Sequence, residues 1–364
     1  MAKTIPNQFH PDVVLPPGDT IKESLDALGM KQAEFARRMG VSEKYVIDLL
    51  GGEAPLSADT ALKLERVFNV PARFWTNLEL GYREYLMRKN EAEPLAASVG
   101  WARRFPLKKM AALGWVERAD DELTGAHRLL TYFGCASETQ WRDIWGTADA
   151  VFRHSAARDS DWHAVTAWLR RGQIEAHERN LPDHDAEVWD KVLTTIRANI
   201  SPDPRVFQKL MVAECAKAGV GLFFLPALPK MAVSGACVWQ NQNPCIYLSL
   251  RYKTDDHLWF SFFHEAMHVR QNIRKRLFLD APRQAVNEPE ETEANEYAAE
   301  TLIPSPAYRD FVTTGRFDAL SVRAFAKELK VTPGVVVGRL QHDQHVPWAS
   351  SLNKLKQHYI WTSV

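Results

Sequence analysis

Two histidines and a glutamate lie within one short segment of the chain, the stretch WFSFFHEAMHVRQ from Trp259 to Gln271. His264 and His268 are four residues apart, so on a helix they project from one face one turn apart and can share a tetrahedral Zn²⁺. Glu265 stands beside the first histidine, where its carboxylate can take a proton from an attacking water and later protonate a leaving amine. This spacing predicts the zinc site of a metalloprotease.

The residues around this motif favour a metal over an ordinary helix that happens to carry two histidines. The flanks are heavily apolar, from Leu258 to Phe263 and from Ala266 to Val269. Such a helix is mostly buried, and two neighbouring imidazoles in a buried place need polar partners. A zinc ion satisfies both.

A catalytic zinc site also needs a third protein ligand and an open fourth position. The elongated metzincin pattern does not continue here, because Gln271 and Arg274 occupy the places where it requires Gly and His. A carboxylate from a following helix is the other standard solution. We therefore expect the third ligand in the glutamate-rich segment EETEANEYAAETLIP.

Glu293 is the favoured third ligand, because Tyr297 and Ala298 follow it in an apolar-facing stripe. The same helix carries two further candidate ligands, Glu296 and Glu300. The remaining glutamates are interpreted as a negative first turn that complements the helix dipole, namely Glu288, Glu290 and Glu291.

The elements that position these residues read as an α+β domain in residues 206–312. A helix leads into three β-rich runs, GVGLFFLPAL, VSGACVWQN and PCIYLSL, which Pro, Gly and Asn turn signals separate. The two site helices follow them, so we expect a small three-stranded sheet packed with helices. A peptide substrate would add as a strand to the edge of this sheet, at residues 244–250.

The N-terminal part of the chain has the signature of a helix-turn-helix. After a Pro-rich leader, residues 1–17, short apolar-periodic helices are broken at Gly40-Val41, and Ser42 is placed to cap the next helix. We assign residues 18–87 to this all-helical domain. Its candidate DNA contacts are Gln32, Ser42, Lys44 and Tyr45.

Charge counts oppose DNA binding by this domain. Between Asp19 and Glu84 there are eleven acidic and nine basic residues. Acidic groups near phosphates weaken binding to DNA. Dimerisation or docking of a partner protein is therefore the alternative role.

Two further regions complete the predicted organisation, a helical connecting region at 88–205 and a helical C-terminal unit at 313–364. The C-terminal unit repeats the helix-turn-helix pattern, since AFAKELKVTPGVVVGRL from Ala324 aligns with EFARRMGVSEKYVIDLL from Glu34. It is either a second helix-turn-helix-like unit or a compact helical hairpin with the same packing rule. The predicted fold is thus α+β and mostly helical.

Composition places the chain among ordinary globular proteins. Of its 364 residues, 25% are charged and 46% hydrophobic, and the formal net charge is zero. No stretch approaches the roughly 20 apolar residues that a membrane span requires. We expect a cytoplasmic protein without a membrane partner, in which the four cysteines are reduced packing residues.

The metal motifs resemble a known family. HEAMH followed by EANEYAAETLIP is similar to the ImmA/IrrE family of zinc metallopeptidases, as are VSGACVW, PCIYLSLR and VVVGRLQHD. Separately, the segment from LPPGDTIKESL to NVPARFW resembles the Xre-type helix-turn-helix of HigA-like antitoxins. The first resemblance implies a gluzincin-like peptidase in which Glu265 is the general base and Zn²⁺ is held by His264, His268 and Glu293. Candidate transition-state or substrate contacts are Tyr297, His257 and Arg251.

The resemblance also implies a biological role. Such two-domain proteins are bacterial regulators of toxin-antitoxin pairs, mobile elements or phage defence, in which the peptidase cleaves a repressor, toxin or other partner protein. One alternative is a DNA-binding antitoxin or repressor that recognises an operator, dimerises through the helix-turn-helix and carries a silent or structural metal site. A second alternative is an interaction protein that sequesters its partner.

Overall fold

A computed structural model describes residues 15–154, 160–272, 278–280 and 289–361, without the side chains of 92, 147–154 and 278–280. Most of the predicted leader, residues 1–17, lies outside these ranges. The chain divides between Ala97 and Ser98 into two compact units. Among the helices in the described ranges, not one is long and apolar enough to cross a lipid bilayer.

In the first unit, the described residues 15–97 form helices and turns without a strand. The helices are α1 (Pro17–Ala27), α2 (Gln32–Met39), α3 (Glu43–Leu50), α4 (Ala58–Phe68) and α5 (Ala72–Ala97). Its core centres on Trp75, which is fully buried and lies 5.7 Å from the Phe68 ring, which in turn stacks on Phe35 at 5.4 Å. Aromatic contacts of this kind fix the angles between short helices that have little stability of their own.

The turn between α2 and α3 is the predicted one. Gly40 ends α2 in the left-handed conformation with φ 66°, which glycine adopts without steric cost. The Val41 N–H then donates to the Ala36 carbonyl at 3.1 Å. Ser42 caps α3, because its hydroxyl accepts from the Tyr45 N–H at 3.1 Å.

The second unit packs helices around a small sheet. Its helices are α6 (Val99–Ala102), α7 (Leu107–Ala112), α8 (Glu122–Phe133), α9 (Glu138–His154), α10 (Trp162–His177), α11 (Ala186–Ala198), α12 (Pro204–Lys217), α13 (Asp255–Gln271), α14 (Pro289–Leu302), α15 (Ser305–Thr313), α16 (Ala319–Glu328) and α17 (Pro333–His342). A 3₁₀ helix follows at Ser351–Leu355. The strands are β1 (Gly221–Phe224), β2 (Gly235–Gln240), β3 (Asn243–Leu248) and β4 (Phe278–Asp280).

The predicted fold class is confirmed, and the sheet gains one short strand. Its order is β1-β3-β2-β4, with β1 parallel to β3 and β2 antiparallel to both of its neighbours. Since β3 lies in the interior with a partner on each side, residues 244–250 do not form an edge. The prediction that a substrate strand adds there is wrong, because the backbone groups of β3 are already used by β1 and β2.

Helix α13 runs through the core of this unit. Trp259, Phe262 and Phe263 are fully buried in a cluster that also includes residues of β1, β2 and β3. A helix that is apolar on every side must be enclosed on every side. Because their apolar neighbours on α13 are buried, His264, Glu265 and His268 are buried as well.

The segment predicted as a connecting region contributes to both units. Residues 88–97 complete α5, whereas 98–205 belong to the second unit. Trp189 of α11 donates its indole N–H to the Ala266 carbonyl of α13 at 3.3 Å, and Trp168 of α10 donates to the Leu225 carbonyl at 3.3 Å. This region thus helps to form the body that holds α13.

Arg197 at the end of α11 holds together the ends of two other helices. Its guanidinium donates to the carbonyls of Thr301 at 2.6 Å and Leu302 at 3.1 Å, where α14 ends. It also donates to the carbonyls of Leu329 at 2.9 Å and Lys330 at 3.4 Å, after α16. The last carbonyls of a helix have no partner within it, so one side chain satisfies two helix ends.

Residues 313–364, predicted as a C-terminal unit, repeat the turn of the first unit, but the helix after the turn is packed into the core. Lys330 takes φ 54° where Gly40 stands in the first unit, and the Val331 N–H donates to the Ala326 carbonyl at 3.0 Å. Helix α17, however, packs on α13, and Gly334 and Val337 are buried. The turn is that of a helix-turn-helix, while the packing of the second helix is that of a closed hairpin.

The last segment of the chain is fixed to the start of α13. Lys356 and Asp256 form a buried ion pair, with side chains 9% and 7% exposed. Asp255 and Gln357 exchange two hydrogen bonds of 3.0 Å each. Gly334 of α17 also lies close to Asp255. A larger residue would not fit there, because a Cβ at position 334 would lie 2.1 Å from Asp255 Oδ1.

We predict that Arg197→Met destabilises the second unit by about 2–4 kcal/mol, because four carbonyls lose a donor. This corresponds to a fall in Tm of roughly 4–10 °C. Arg197→Lys should recover little, since an ammonium lacks the planar fork that reaches two helix ends. The measurement is thermal unfolding followed by circular dichroism.

Arg205→Met is the matched control for this prediction. Arg205 also carries a guanidinium in an ion pair, but its side chain is 88% exposed beside Asp203, and we expect no measurable change. Equal Tm values for Arg197→Met and Arg205→Met would contradict the proposed role of Arg197.

Candidate metal centre

The two histidines of α13 meet at their Nε2 atoms. Those atoms are 3.1 Å apart, and the ring planes cross at 81° with centroids 4.8 Å apart. His264 and His268 are 2% and 1% exposed. The four-residue spacing on a buried helix therefore produces the pairing that the sequence predicts.

Glu291 supplies the third convergent side chain. Its Oε2 lies 3.3 Å from His264 Nε2 and its Oε1 lies 3.5 Å from His268 Nε2. One ligand atom from each of the three residues falls within a 4.8 Å group, which could hold a metal ion. The carboxylate comes from the first turn of α14, the helix that packs most closely on α13.

The structure places Glu291, and not the predicted third ligand Glu293, against the two histidines. Glu293 lies about 200° around α14 from Glu291, and its carboxylate accepts from Gln271 Nε2 at 2.9 Å instead. Of the alternatives, Glu296 is exposed, and Glu300 accepts from Ser305. The first-turn position of Glu291, interpreted as a complement to the helix dipole, is the one that faces α13.

Electrostatics keep the Glu291 carboxylate ionised. Burial alone would raise its pKa, but when His264 and His268 are protonated, their hydrogen bonds and charge outweigh burial and lower the pKa to about 2. A carboxylate in this state is an anionic acceptor facing the two imidazoles.

The outer nitrogens of the two imidazoles are engaged by amide oxygens. His264 Nδ1 lies 3.1 Å from Asn295 Oδ1, and His268 Nδ1 lies 2.8 Å from Gln271 Oε1. An amide oxygen only accepts, so each Nδ1 carries a proton, and each ring in its neutral form has its lone pair on Nε2. Two lone pairs and a carboxylate oxygen that converge in a buried place repel one another unless a cation lies between them. The donor set fits Zn²⁺, for which two His and one Glu leave an open position.

Glu265 lies against Gly235 of β2. Gly235 was not among the site residues predicted from the sequence. Glu265 is fully buried, and a Cβ at Gly235 would lie 2.7 Å from its Oε1 and 2.8 Å from its Cγ. Gly235 thus leaves the space that the carboxylate occupies. The glycine of VSGACVW is the signal in the sequence, because glycine inside a strand often marks a close approach of other atoms.

Two of the three candidate substrate contacts, His257 and Arg251, line one pocket at the first turns of α13. His257 precedes His264 by seven residues, which places it on the same face of α13, about 10 Å along the axis. Its ring stacks on Tyr252 at 4.1 Å, and Arg251 donates to the Ala232 carbonyl at 2.8 Å. With Ser234 and Ser261, His257 and Arg251 line an open pocket of about 240 Å³, solvent included.

The third candidate, Tyr297, faces elsewhere. The Arg270 guanidinium lies over its ring, 5.2 Å from the centroid. Burial raises the pKa of Tyr297, which also makes a side-chain hydrogen bond to Thr301. Its contacts thus lie with Arg270 and with its own helix.

In the first unit, three of the four predicted DNA contacts are exposed, namely Gln32, Ser42 and Lys44. Tyr45 is half-buried, and its hydroxyl forms a hydrogen bond of 2.8 Å with the Thr60 hydroxyl. Ile47, which was not among the predicted contacts, is 61% exposed on α3. The exposed face of α3 thus combines Lys44 with Ile47.

Comparison with known proteins assigns both units. Residues 215–341 match Peptidase_M78, the IrrE N-terminal-like domain, and residues 21–75 match a helix-turn-helix domain model. The uncharacterized HTH-type transcriptional regulator YddM of Escherichia coli K12 is 41% identical over 63 residues, which cover 17% of this chain and 67% of that protein. Virulence-associated protein A′ of Dichelobacter nodosus is 34% identical over 67 residues, 18% of this chain and 58% of its own length.

Two solved structures are similar to a part of the chain. One, from Nostoc punctiforme, is assigned as the antidote protein of a plasmid maintenance system; it is 26% identical with a TM-score of 0.21, and covers 22% of this chain and 87% of its own. The other is an addiction module antidote protein of the HigA family from Coxiella burnetii, 27% identical with a TM-score of 0.22, covering 23% and 92%.

The fold and the site together define a metallopeptidase-type unit joined to a helix-turn-helix unit. The chain belongs to the helix-turn-helix family through its first unit, and its second unit contains an IrrE N-terminal-like domain. The predicted family resemblance is confirmed on both counts. The family of the second unit implies a metal, and that of the first supports DNA binding.

Gly235→Ala tests the close approach of β2 to Glu265. We predict a loss of about 1–3 kcal/mol in stability, because the added methyl overlaps the carboxylate and forces it to move. Zinc content should remain unchanged, since the nearest atoms that a Cβ at Gly235 would meet all belong to Glu265, which is not one of the three proposed ligands. The measurements are thermal unfolding and metal analysis.

Gly146→Ala is the control, because a Cβ at that exposed glycine of α9 meets nothing within 4 Å. It should be neutral or slightly stabilising, since alanine is the better helix former. A Gly235→Ala protein as stable as Gly146→Ala would show that the carboxylate does not need this space.

Proposed function

We propose that the protein is a zinc-dependent endopeptidase that regulates gene expression or defence by cleaving a partner protein. The observation that supports this most directly is the convergence of His264, His268 and Glu291, with a second buried carboxylate, Glu265, next to His264 in the chain. A purely structural zinc has no use for Glu265. Toxin-antitoxin pairs, mobile elements and phage defence are the contexts we propose, and the partner is a repressor, a toxin or another protein.

The chemistry divides between the ion and the chain. Zn²⁺, when bound, acts as a Lewis acid that polarises the scissile carbonyl and acidifies water. His264, His268 and Glu291 hold it through Nε2 and carboxylate atoms. Asn295 and Gln271 keep the two imidazoles in the tautomer that offers those lone pairs.

Glu265 handles the protons. Its carboxylate accepts the proton of the attacking water as the carbon–oxygen bond forms, and it returns that proton to the amine nitrogen as the carbon–nitrogen bond breaks. Proton transfer of this kind contributes about 10²–10⁴-fold to a rate. The buried position between α13 and β2 strengthens these interactions by excluding water.

The first unit supports a second candidate function, a DNA-binding repressor or antitoxin that acts as a homodimer on an operator. The exposed face of α3 favours it, because the first residues of a recognition helix contact base edges, and an exposed isoleucine can contact a thymine methyl. In this reading the metal site is silent, and loss of Glu265 changes nothing. A third candidate function is sequestration of a partner protein without cleavage. Loss of Glu265 would leave that function unchanged as well.

Metal analysis of variants purified without added metal separates these ligand assignments. Wild type and Glu265→Gln should each retain about one zinc ion, because Glu265 is a proton carrier and not a ligand. The zinc should be lost from His264→Ala, His268→Ala and Glu291→Ala. Glu293→Ala should still bind zinc when it is supplied in excess.

Glu293→Ala and Glu291→Ala form a matched pair on one helical turn. Loss of zinc from the first with retention in the second would restore the ligand set expected from the sequence. Wild type that stays metal-free even with supplied zinc would end the peptidase proposal and leave the DNA-binding function.

DNA binding depends on Lys44 if α3 is the recognition helix. We predict that Lys44→Glu weakens binding to a duplex from the region upstream of the gene, and that it reduces the slope of log K against log salt by about 1 or more. Fluorescence anisotropy across a salt series measures both. Lys22→Glu, on α1 beside Asp19, is the control and should bind as wild type does. Equal losses in the two variants would show a general charge effect and not a contact from α3.

A further inference from the structure

We infer that Gln271 is a positioning residue which holds His268 with its Nε2 lone pair toward the metal, and that Glu293 keeps the Gln271 amide turned correctly. This inference rests on the metal site proposed above. Gln271 ends α13, three residues after His268. It is not one of the three ligand residues, and it acts through the His268 imidazole and through the first turn of α14.

The orientation of the Gln271 amide is decided by its partners. Its Nε2 lies 2.9 Å from the Glu290 carbonyl and 2.9 Å from Glu293 Oε2. Both partners are acceptors, so the NH₂ group must face them and the oxygen must face away. That oxygen is the atom 2.8 Å from His268 Nδ1.

The consequence for His268 is a fixed tautomer. A nitrogen that faces an amide oxygen must carry the hydrogen, so the proton sits on Nδ1 and the lone pair on Nε2. Without that acceptor, the proton can sit on Nε2 and be donated to His264 Nε2 at 3.1 Å or to Glu291 Oε1 at 3.5 Å. An Nε2–H in that place excludes a metal from the position it would occupy.

Gln271 also ties the two ligand-bearing helices together. The Glu290 carbonyl belongs to the first turn of α14, directly before Glu291. One side chain therefore orients a ligand of α13 and anchors the turn that supplies the ligand of α14. His264 has a simpler arrangement, with Asn295 of α14 as the acceptor for its Nδ1.

Glu293 acquires a role in this arrangement although it is not a ligand. Its carboxylate is exposed and accepts from an amide N–H, which a charged acceptor does more strongly than a neutral one. It favours the one amide orientation that presents oxygen to His268. Substitution by glutamine removes the charge and allows the opposite orientation.

The test compares Gln271→Met, Glu293→Gln and the control Glu296→Gln. Methionine keeps the length of the side chain and removes both hydrogen-bonding groups. In the metal-free proteins, ¹⁵N NMR of labelled histidines reports which ring nitrogen of His268 carries the hydrogen. We expect Nδ1–H in wild type and in Glu296→Gln, and a shift toward Nε2–H in Gln271→Met.

Zinc affinity gives the second readout, measured by competition with a chromophoric chelator. Gln271→Met should bind zinc about 10–100-fold more weakly, as expected for loss of an outer partner of a ligand histidine. Glu293→Gln should lose less, about 2–10-fold, because the Glu290 carbonyl still holds the amide. Glu296→Gln, on the same helix without that contact, should match wild type.

A wild-type tautomer and wild-type affinity in Gln271→Met would overturn the inference. Glu293→Gln guards against a folding defect, since it alters an exposed side chain, and an affinity equal to that of Glu296→Gln would remove Glu293 from the arrangement. If wild type binds no zinc, the proposed function fails, whereas the tautomer comparison still decides the role of Gln271.

Discussion

The second unit depends on one unfavourable arrangement, three electron-pair donors placed together in an apolar interior. His264 and His268 of α13 and Glu291 of α14 face one another within 4.8 Å, and the other sides of α13 are packed with aromatic and aliphatic side chains. Burying such groups without a shared partner costs several kcal/mol. A site of this kind persists only if the surrounding fold is stable enough to hold the donors together until a cation neutralises them.

The fold supplies that stability at both ends of α13 and along its side. At the N-terminal end, the buried pair of Lys356 with Asp256 fixes the chain's last segment to the helix. Along the helix, Trp189 donates to a carbonyl between the two histidines, at Ala266. Arg197 anchors the far end of α14, so the helix that carries Glu291 is held at its last turn as well as its first. These groups come from segments remote in sequence, which explains why a long second unit surrounds so small a site.

The sequence predicts features that are fixed within a single helix or strand. It does not predict which residues of two different elements come into contact. The spacing of His264 and His268 fixes their common face through helix geometry. The carboxylate that faces the two histidines depends on which face of α14 meets α13. Packing of distant residues sets that rotation, so local spacing does not show that Glu291 rather than Glu293 lies there. The sheet edge was misjudged for the same reason, because β1 reaches β3 by a parallel connection that local patterns do not show. Arg197 and Trp189 gave no local signal at all.

The helix-turn-helix turn occurs twice in this chain, between α2 and α3 and between α16 and α17. The helix after the turn is exposed in the first case and packed into the core in the second. Both turns share the left-handed residue and the same backbone hydrogen bond, from Val41 to Ala36 and from Val331 to Ala326. The residues that project from the second helix differ: an exposed lysine and isoleucine in α3 correspond to a buried Gly334 and Val337 in α17. Glycine at 334 lets α17 lie against Asp255, which a lysine in its place would prevent. Two positions on one helix face therefore distinguish the exposed face of α3 from the packed face of α17, and the turn by itself carries no function.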